Sequence, residues 1–173
     1  MRPEKPGGPA TVRLALGLAL GLAASASAGA PFTSTQDSFT ALFPRPPYVD
    51  SRTVAVGNRE NAGVRMYRVD EARTAWLVSA TDVAGLTMNL QRTLAGARDG
   101  LVAKSGGTLA SEKPVRIAKY DGLALRLERP DGSVVLARLC ATPLRIYEVL
   151  VMTTEESGRH AEIQRFLDSF APE

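Results

Sequence analysis

The sequence is poor in the side chains that metal and nucleophile sites need. Its 173 residues include one histidine and one cysteine, whereas transition-metal sites need several His, Cys, Asp or Glu ligands at workable spacing. No Gly-x-Ser-x-Gly nucleophile elbow is present, and the pair Gly106–Gly107 follows a predicted helix instead of opening one, as a phosphate loop would. We therefore expect no metal, no cofactor and no enzymatic activity.

The one cysteine and the one histidine each have an ordinary structural interpretation. Cys140 has no partner for an intramolecular disulfide, and its place in an apolar strand favours a buried thiol over a reactive or intermolecular one. His160 would need a serine and an acid beside it to act in a hydrolase. We interpret it as a partly exposed helix residue and keep the hydrolase as the least favoured alternative.

Long hydrophobic runs are also scarce, with one at the amino end. Three basic residues precede the apolar run Leu14–Ala24, and Ala26-Ser27-Ala28 is a small-x-small cleavage signal. The pattern predicts a signal peptide over residues 1–28, cut between Ala28 and Gly29, and a periplasmic or secreted domain over residues 29–173. A retained membrane anchor is the alternative, but the apolar run is short for a span. No other segment is predicted to cross a membrane.

Neither sign of charge is in clear excess once this leader is set aside. The chain has 21 basic and 18 acidic residues, and the leader holds three of the basic and one of the acidic ones. The remainder then has 18 against 17, a net charge of +1. Nucleic acid is therefore not an expected partner, because its binding needs a basic surface.

The segment Val115–Thr154 predicts an antiparallel meander of four strands. Leu123, Leu125 and Leu127 alternate with smaller or charged residues, and Arg129-Pro130-Asp131-Gly132 has the composition of a tight turn. Tyr120-Asp121-Gly122 predicts the turn before it. The last strand, Leu144–Met152, is apolar on both faces, so we expect it to be central and covered on both sides.

The other elements complete an α+β domain. Phe39–Phe43 predicts a short edge strand, Val54 and Val56 lie in another strand, and Val64–Val69 with Thr74–Ala80 form a hairpin. Apolar residues at helical spacing predict a helix over Thr81–Lys104, capped by Thr81 or Asp82. A capping box of Thr153 and Glu156 predicts a second helix. We expect one antiparallel sheet of about six to eight strands with two main helices.

Four residues are candidates for ligand or partner contact. Tyr67 and Trp76, the only tryptophan, are predicted to come close across a hairpin, where core packing is favoured over stacking on a ligand. Arg126 and Arg138, with Glu128, form the polar side of the meander. A solvated ion-paired surface is the simpler interpretation, and recognition of an anionic ligand by Arg138 is the alternative.

Several motifs together resemble the PsbP-like fold family, which includes secreted bacterial proteins. They are Phe-x-x-x-Phe-Pro at Phe39–Pro44, the Gly106–Gly107 pair after a long helix, Arg145-x-Tyr147 in the last strand, and a closing Phe-Leu-Asp-Ser-Phe helix at Phe166–Phe170. The resemblance implies an α/β/α sandwich and accessory or binding roles without catalysis. It identifies no ligand.

The sequence therefore predicts an exported, monomeric, non-catalytic binding or accessory module. Its partner, a protein or a small molecule, is unspecified. The main alternative is a carrier of a small apolar ligand held between a helix and the sheet, with Trp76 or Tyr67 as a wall.

Overall fold

The computed structural model describes residues 31–57 and 59–173. The predicted leader and its cleavage site at Ala28 and Gly29 lie outside them. In chain order the described elements are β1 (Pro31–Ser34), β2 (Phe39–Leu42), β3 (Tyr48–Val56), β4 (Arg59–Asp70), β5 (Thr74–Asp82), α1 (Leu90–Ser105), β6 (Thr108–Ile117), β7 (Tyr120–Glu128), β8 (Val134–Ala141), β9 (Arg145–Thr153), α2 (Glu156–Ser169) and β10 (Ala171–Pro172).

The main sheet is antiparallel and has seven strands in the order β3-β4-β5-β9-β8-β7-β6. This arrangement confirms the predicted α+β class, strand number and pair of helices. The predicted meander forms strands β6 to β9, each hydrogen-bonded to the next. The hairpin β4–β5 joins this meander because β5 pairs with β9.

The two meander turns were predicted with different success. At Arg129–Gly132 the turn is confirmed, since Gly132 has φ +80° and its amide donates to the Arg129 carbonyl at 3.0 Å. The preceding turn was placed wrongly. Ile117 pairs with Tyr120, so Ala118 and Lys119 make that turn, and Gly122 lies inside β7 opposite Cys140.

The helices pack on opposite faces of the sheet. Under α2 lies an aromatic core in which Trp76 meets Phe166 edge-to-face, with ring centroids 5.3 Å apart. Under α1 lies an aliphatic core that contains Leu94 and Leu101 of the helix. Ile163, Phe166, Leu167 and Phe170 are buried, as the periodicity predicts.

A small second sheet closes the aromatic side. Strand β2 pairs with β1 on one side and with β10 on the other, and its residue Phe39 is buried against Phe170, as the following Phe43 is against Phe166 of α2. The prediction of an edge strand at Phe39–Phe43 was therefore wrong. The carboxyl-terminal strand, too short to detect from sequence, covers that edge.

Strand β9 is the middle strand of the seven, as predicted, but its cover is uneven. Tyr147, Val149 and Val151 are buried under α2, whereas Met152 on the other face is 38% exposed. Leu144 precedes the strand and is 57% exposed. Because α1 packs on β7 and β8, it leaves the rest of that face open, and the prediction of complete cover on both sides was wrong.

Both predicted helix starts need correction. Helix α1 begins at Leu90, after Asn89 accepts a hydrogen bond from the Arg92 amide at 3.0 Å, while Thr81 and Asp82 belong to β5. Their backbone pairs with Ile146 and Arg145 of β9, which satisfies it within the sheet. Gly106 ends α1 with φ +65°, as predicted.

The capping box of α2 does not form. Thr153 Oγ1 accepts from the Glu155 amide at 2.9 Å and bonds Thr74 Oγ1 at 2.9 Å, and the Glu156 carboxylate binds Arg126. The motif requires both side chains, but Thr153 bonds Thr74 across the strands and Glu156 binds Arg126. Among the described helices, none is both long and apolar enough to span a bilayer.

Candidate functional site

The open part of the α1 face forms a groove. On β3, β4, β5 and β9 every second side chain is directed to this face, and strand register places these side chains in rows. One row contains Asp50, Met66, Ser79 and Glu148. Two cavities lie over these rows between the sheet and α1.

The larger cavity has a volume of about 920 Å³. The amino end of α1 and the connection that precedes it form one wall, and the ends of β3, β5 and β9 form the floor. Its apolar lining includes Leu86, Met88, Ala97 and Ile146, and its charged lining is Arg92, Lys104 and Glu148.

The smaller cavity, of about 290 Å³, continues along the same groove. It is lined by apolar side chains of the strands and α1, including Leu77, Leu101, Leu150 and Met152, with Arg52 and Arg68 at its exposed side. Lys104 and Glu148 border both cavities. The groove therefore has two apolar compartments that meet at one pair of opposite charges.

Cations outnumber acids along the groove, where the charged lining residues are Arg52, Arg68, Arg92, Lys104, Asp50 and Glu148. Arg52, Arg92 and Lys104 border the groove, and among the described side chains none of the three has a carboxylate within 4.0 Å. Burial raises the pKa of the Glu148 carboxyl, while the charges of Lys104 and Arg52 act in the opposite direction without cancelling that effect. Cations that lack an acidic partner beside an apolar cavity can accept an anionic group.

The raised pKa of Glu148 makes a prediction about stability. A carboxyl whose pKa is higher in the folded state than in the unfolded state makes its most favourable contribution to stability at pH values below its unfolded pKa. That contribution is lost as pH rises through its folded pKa. We expect Glu148→Gln to match the wild type near pH 4 and to become more stable than it by pH 7.5. Denaturant unfolding at both pH values measures this, with Glu128→Gln as the control at an exposed carboxyl. A Glu148→Gln variant that is less stable at pH 7.5 contradicts the expectation.

Tyr67 and Trp76 lie on the other face of the sheet. Trp76 is fully buried, packs on Phe166 and lies under the Arg159 guanidinium, 5.1 Å from the ring centroid. Tyr67 is 3% exposed and its hydroxyl donates to Asp37 Oδ2 at 2.6 Å. They do not line either of the two cavities described above, and their role as ligand contacts stays a prediction.

Arg126 and Arg138 also lie on the α2 face, each beside an acid at one end of that helix. Arg126 binds Glu156 and lies 3.5 Å from Glu128, and Arg138 Nη2 donates to Asp168 at 3.3 Å. These pairs tie the meander to α2, and contact with a partner stays a prediction for both arginines.

His160 and Cys140 also lie away from the groove. His160 is exposed on α2. Cys140 is buried, as predicted, and burial raises the pKa of its thiol to about 11. Among the described residues no group of three or more His, Cys, Asp or Glu side chains is placed to hold a metal ion.

A buried carboxylate, Asp37, organises the small sheet and was not found from the sequence. It is 1% exposed and accepts hydrogen bonds from Arg65, Tyr67 and Arg145. Burial alone would raise the pKa of Asp37, but these hydrogen bonds and the Arg65 charge hold it below the ordinary value. Every partner is internal, so the cluster is structural: it fastens the β1–β2 turn to β4 and β9.

The groove residues were also not predicted from the sequence, although the position of Glu148 in the chain is unusual. Glu148 is a single acid inside the apolar run from Ile146 to Met152, a position where an ionised side chain is rarely found without a reason. The positions of Arg52, Arg92 and Lys104 are not unusual, because each is one of many basic residues on amphipathic segments. Comparison with protein-family models and with curated proteins found no match.

Proposed function

We propose that this chain is an exported, non-catalytic binding module that holds a small amphipathic anion in the groove between α1 and the open sheet face. The observation that carries the proposal is the pair of apolar cavities that meet at Lys104, with Arg52 bordering the smaller cavity and Arg92 the larger, both free of carboxylate partners among the described side chains. The apolar body of the ligand lies along the strands, and its anionic group lies at Lys104.

The size and lining of the groove support a small ligand. Ligand pockets in proteins usually range from about 300 to 1,000 Å³ and combine apolar walls with a few placed polar groups. Both compartments fit this description, and a ligand that spans them covers half-buried side chains such as Leu77 and Leu150. The predicted carrier between a helix and the sheet is retained in this form, with other wall residues than Tyr67 and Trp76.

Export and family kinship are parts of the same proposal. The leader pattern over residues 1–28 supports export to the periplasm or beyond the cell. The helix–sheet–helix order, with Arg145-x-Tyr147 in the central strand and the closing helix on its buried face, supports kinship with the PsbP-like proteins. Accessory and binding roles in that family agree with a module that binds without catalysis.

Two fluorescent probes of matched framework test the groove. The probe 8-anilinonaphthalene-1-sulfonate has an apolar body with one sulfonate, and N-phenyl-1-naphthylamine has that body without the charge. We expect the protein to bind the sulfonate more tightly at pH 7. Lys104→Met is expected to weaken sulfonate binding about tenfold, as loss of one charge-assisted contact does, and to leave binding of the neutral probe nearly unchanged.

Two further variants separate the site from general effects of charge. Glu148→Gln removes the acid at the junction and is expected to strengthen sulfonate binding. Arg116→Met removes an exposed cation on β6, outside the groove, and is expected to change neither probe. Equal affinity for the two probes, or a Lys104→Met variant that binds the sulfonate as the wild type does, would falsify the proposed site.

A further inference from the structure

The open edge of the main sheet at β3 has a sequence that is complementary to itself. In β3 the six residues Tyr48–Thr53 are exposed, and β4 is the one strand described as pairing with it. Such an edge has a row of backbone donors and acceptors without partners, which favours the addition of another strand. The Ser51 amide donates to Asp50 Oδ1 of its own strand at 2.8 Å, as an amide without a strand partner does.

The part of β3 that can pair with another strand is limited at both of its ends. Pro46 and Pro47 precede β3 and have no amide to donate. The β3–β4 register shifts between Val54 and Val56, so the regular part of the strand ends at Val54. Seven residues, Tyr48–Val54, remain between these limits, and Ser51 is their midpoint.

Antiparallel pairing of this segment with a second copy about Ser51 brings opposite charges together. Asp50 of one copy then lies across from Arg52 of the other, and the two-fold symmetry makes this contact twice. Tyr48 lies across from Val54, and aromatic and β-branched residues form a favourable cross-strand pair. Asp50 and Arg52 both project to the groove face in each copy, so the two charge pairs lie on the same side of the joined sheet.

The neighbouring symmetric registers are unfavourable. Pairing about Asp50 sets two aspartates opposite each other, and pairing about Arg52 sets two arginines opposite each other, which destabilises a strand pair. The other sheet edge, β6, is protected differently: Pro114 lies within it, and its register with β7 shifts between Leu109 and Ser111. Charge and strand geometry thus favour one edge and one register.

We propose that two copies of this chain associate through β3, paired antiparallel about Ser51, into a continuous fourteen-stranded sheet. The number follows from two sheets of seven strands. One short strand pair buries little area, so the dimer is weak and depends on protein concentration. It places the two grooves side by side on the same face. The pairing needs no ligand in the groove, although Arg52 also borders it, and the dimer replaces the monomer that the sequence predicts.

Sedimentation velocity over a concentration series tests this dimer, with protein purified after expression of the whole chain. We expect the wild type to move towards twice the monomer mass as concentration rises. Asp50→Arg and Arg52→Asp each turn two attractive contacts into repulsive ones. Each is expected to weaken association by about tenfold or more.

Charge reversal provides the decisive controls. The double variant Asp50→Arg/Arg52→Asp restores opposite charges in the same register and is expected to regain most of the wild-type association. An equimolar mixture of the two single variants is also expected to associate, since each cation of one faces an acid of the other. Lys113→Glu on the β6 edge is expected to have no effect. A wild type that stays monomeric, or single variants that are not rescued in either experiment, overturns the β3 dimer.

Discussion

Replacing Asp37 with asparagine is expected to lower the free energy of unfolding by about 3 kcal/mol, the lower end of the range for breaking a buried ion pair. Asp37 is buried beside two arginines, whose side chains keep 27% and 16% of their exposure. Asparagine retains the volume but removes the charge, and its amide donors face the donors of Arg65 or Arg145. Denaturant unfolding at pH 7 measures the loss.

The Asp37→Asn variant is compared with Asp121→Asn. Asp121 also pairs with an arginine, Arg116, but both side chains are more than 60% exposed, and such pairs contribute about 1 kcal/mol or less. If the two variants lose equal stability, burial is not what makes the Asp37 cluster strong.

The same carboxylate sets part of the acid sensitivity. The folded pKa of Asp37 lies below its ordinary value of 3.8. A group whose pKa is lower in the folded state than in the unfolded state stabilises the fold fully at pH values above its unfolded pKa. This stabilisation is lost as pH falls through its folded pKa. The stability difference between wild type and Asp37→Asn should therefore shrink as pH falls below about 4. A difference that stays constant down to acid unfolding contradicts this account.

Gly122→Ala is expected to cost about 3 kcal/mol or more, because the added methyl group meets backbone. A Cβ at this position would lie 2.3 Å from the Leu139 carbonyl oxygen and 3.0 Å from Ile117 Cδ1. Strand β7 is paired on both sides at this point, with Val115 and with Cys140, so it cannot shift without breaking a ladder. Thermal and denaturant unfolding measure the loss, and failure of the variant to accumulate as folded protein is the same result in a stronger form.

Gly96→Ala is the matched control. Gly96 lies within α1, and a Cβ there would meet no atom within 4 Å. Alanine is expected to stabilise the protein by about 1 kcal/mol, since glycine is a poor helix former. If the two alanine variants changed stability by the same amount and in the same direction, crowding at Gly122 would not be the cause.

The Gly122 result also shows why the first meander turn was misplaced. Tyr-Asp-Gly has the composition of a turn, and the local pattern cannot distinguish a glycine required by φ from one required by a neighbouring strand. Gly122 is needed because the Leu139 carbonyl is close. That contact joins residues 17 positions apart, so it exists only after β7 and β8 have paired.

Local chemistry in the sequence was sufficient for much of the fold. Period-two alternation located strands β7 to β9, the Arg129–Gly132 turn was correct, and Gly106 ended α1 as expected. The central position of β9 followed from its two apolar faces. These features depend on residues near one another in the chain, where steric preference and alternation act directly.

Only the tertiary structure decided the rest. The Asp37 cluster joins residues up to 108 positions apart, and the groove exists because α1 covers β7 and β8 and leaves the face open at β3, β4, β5 and β9. The exposed β3 edge is likewise a result of strand order. Such features depend on which segments meet, and contacts between residues far apart in the chain decide that.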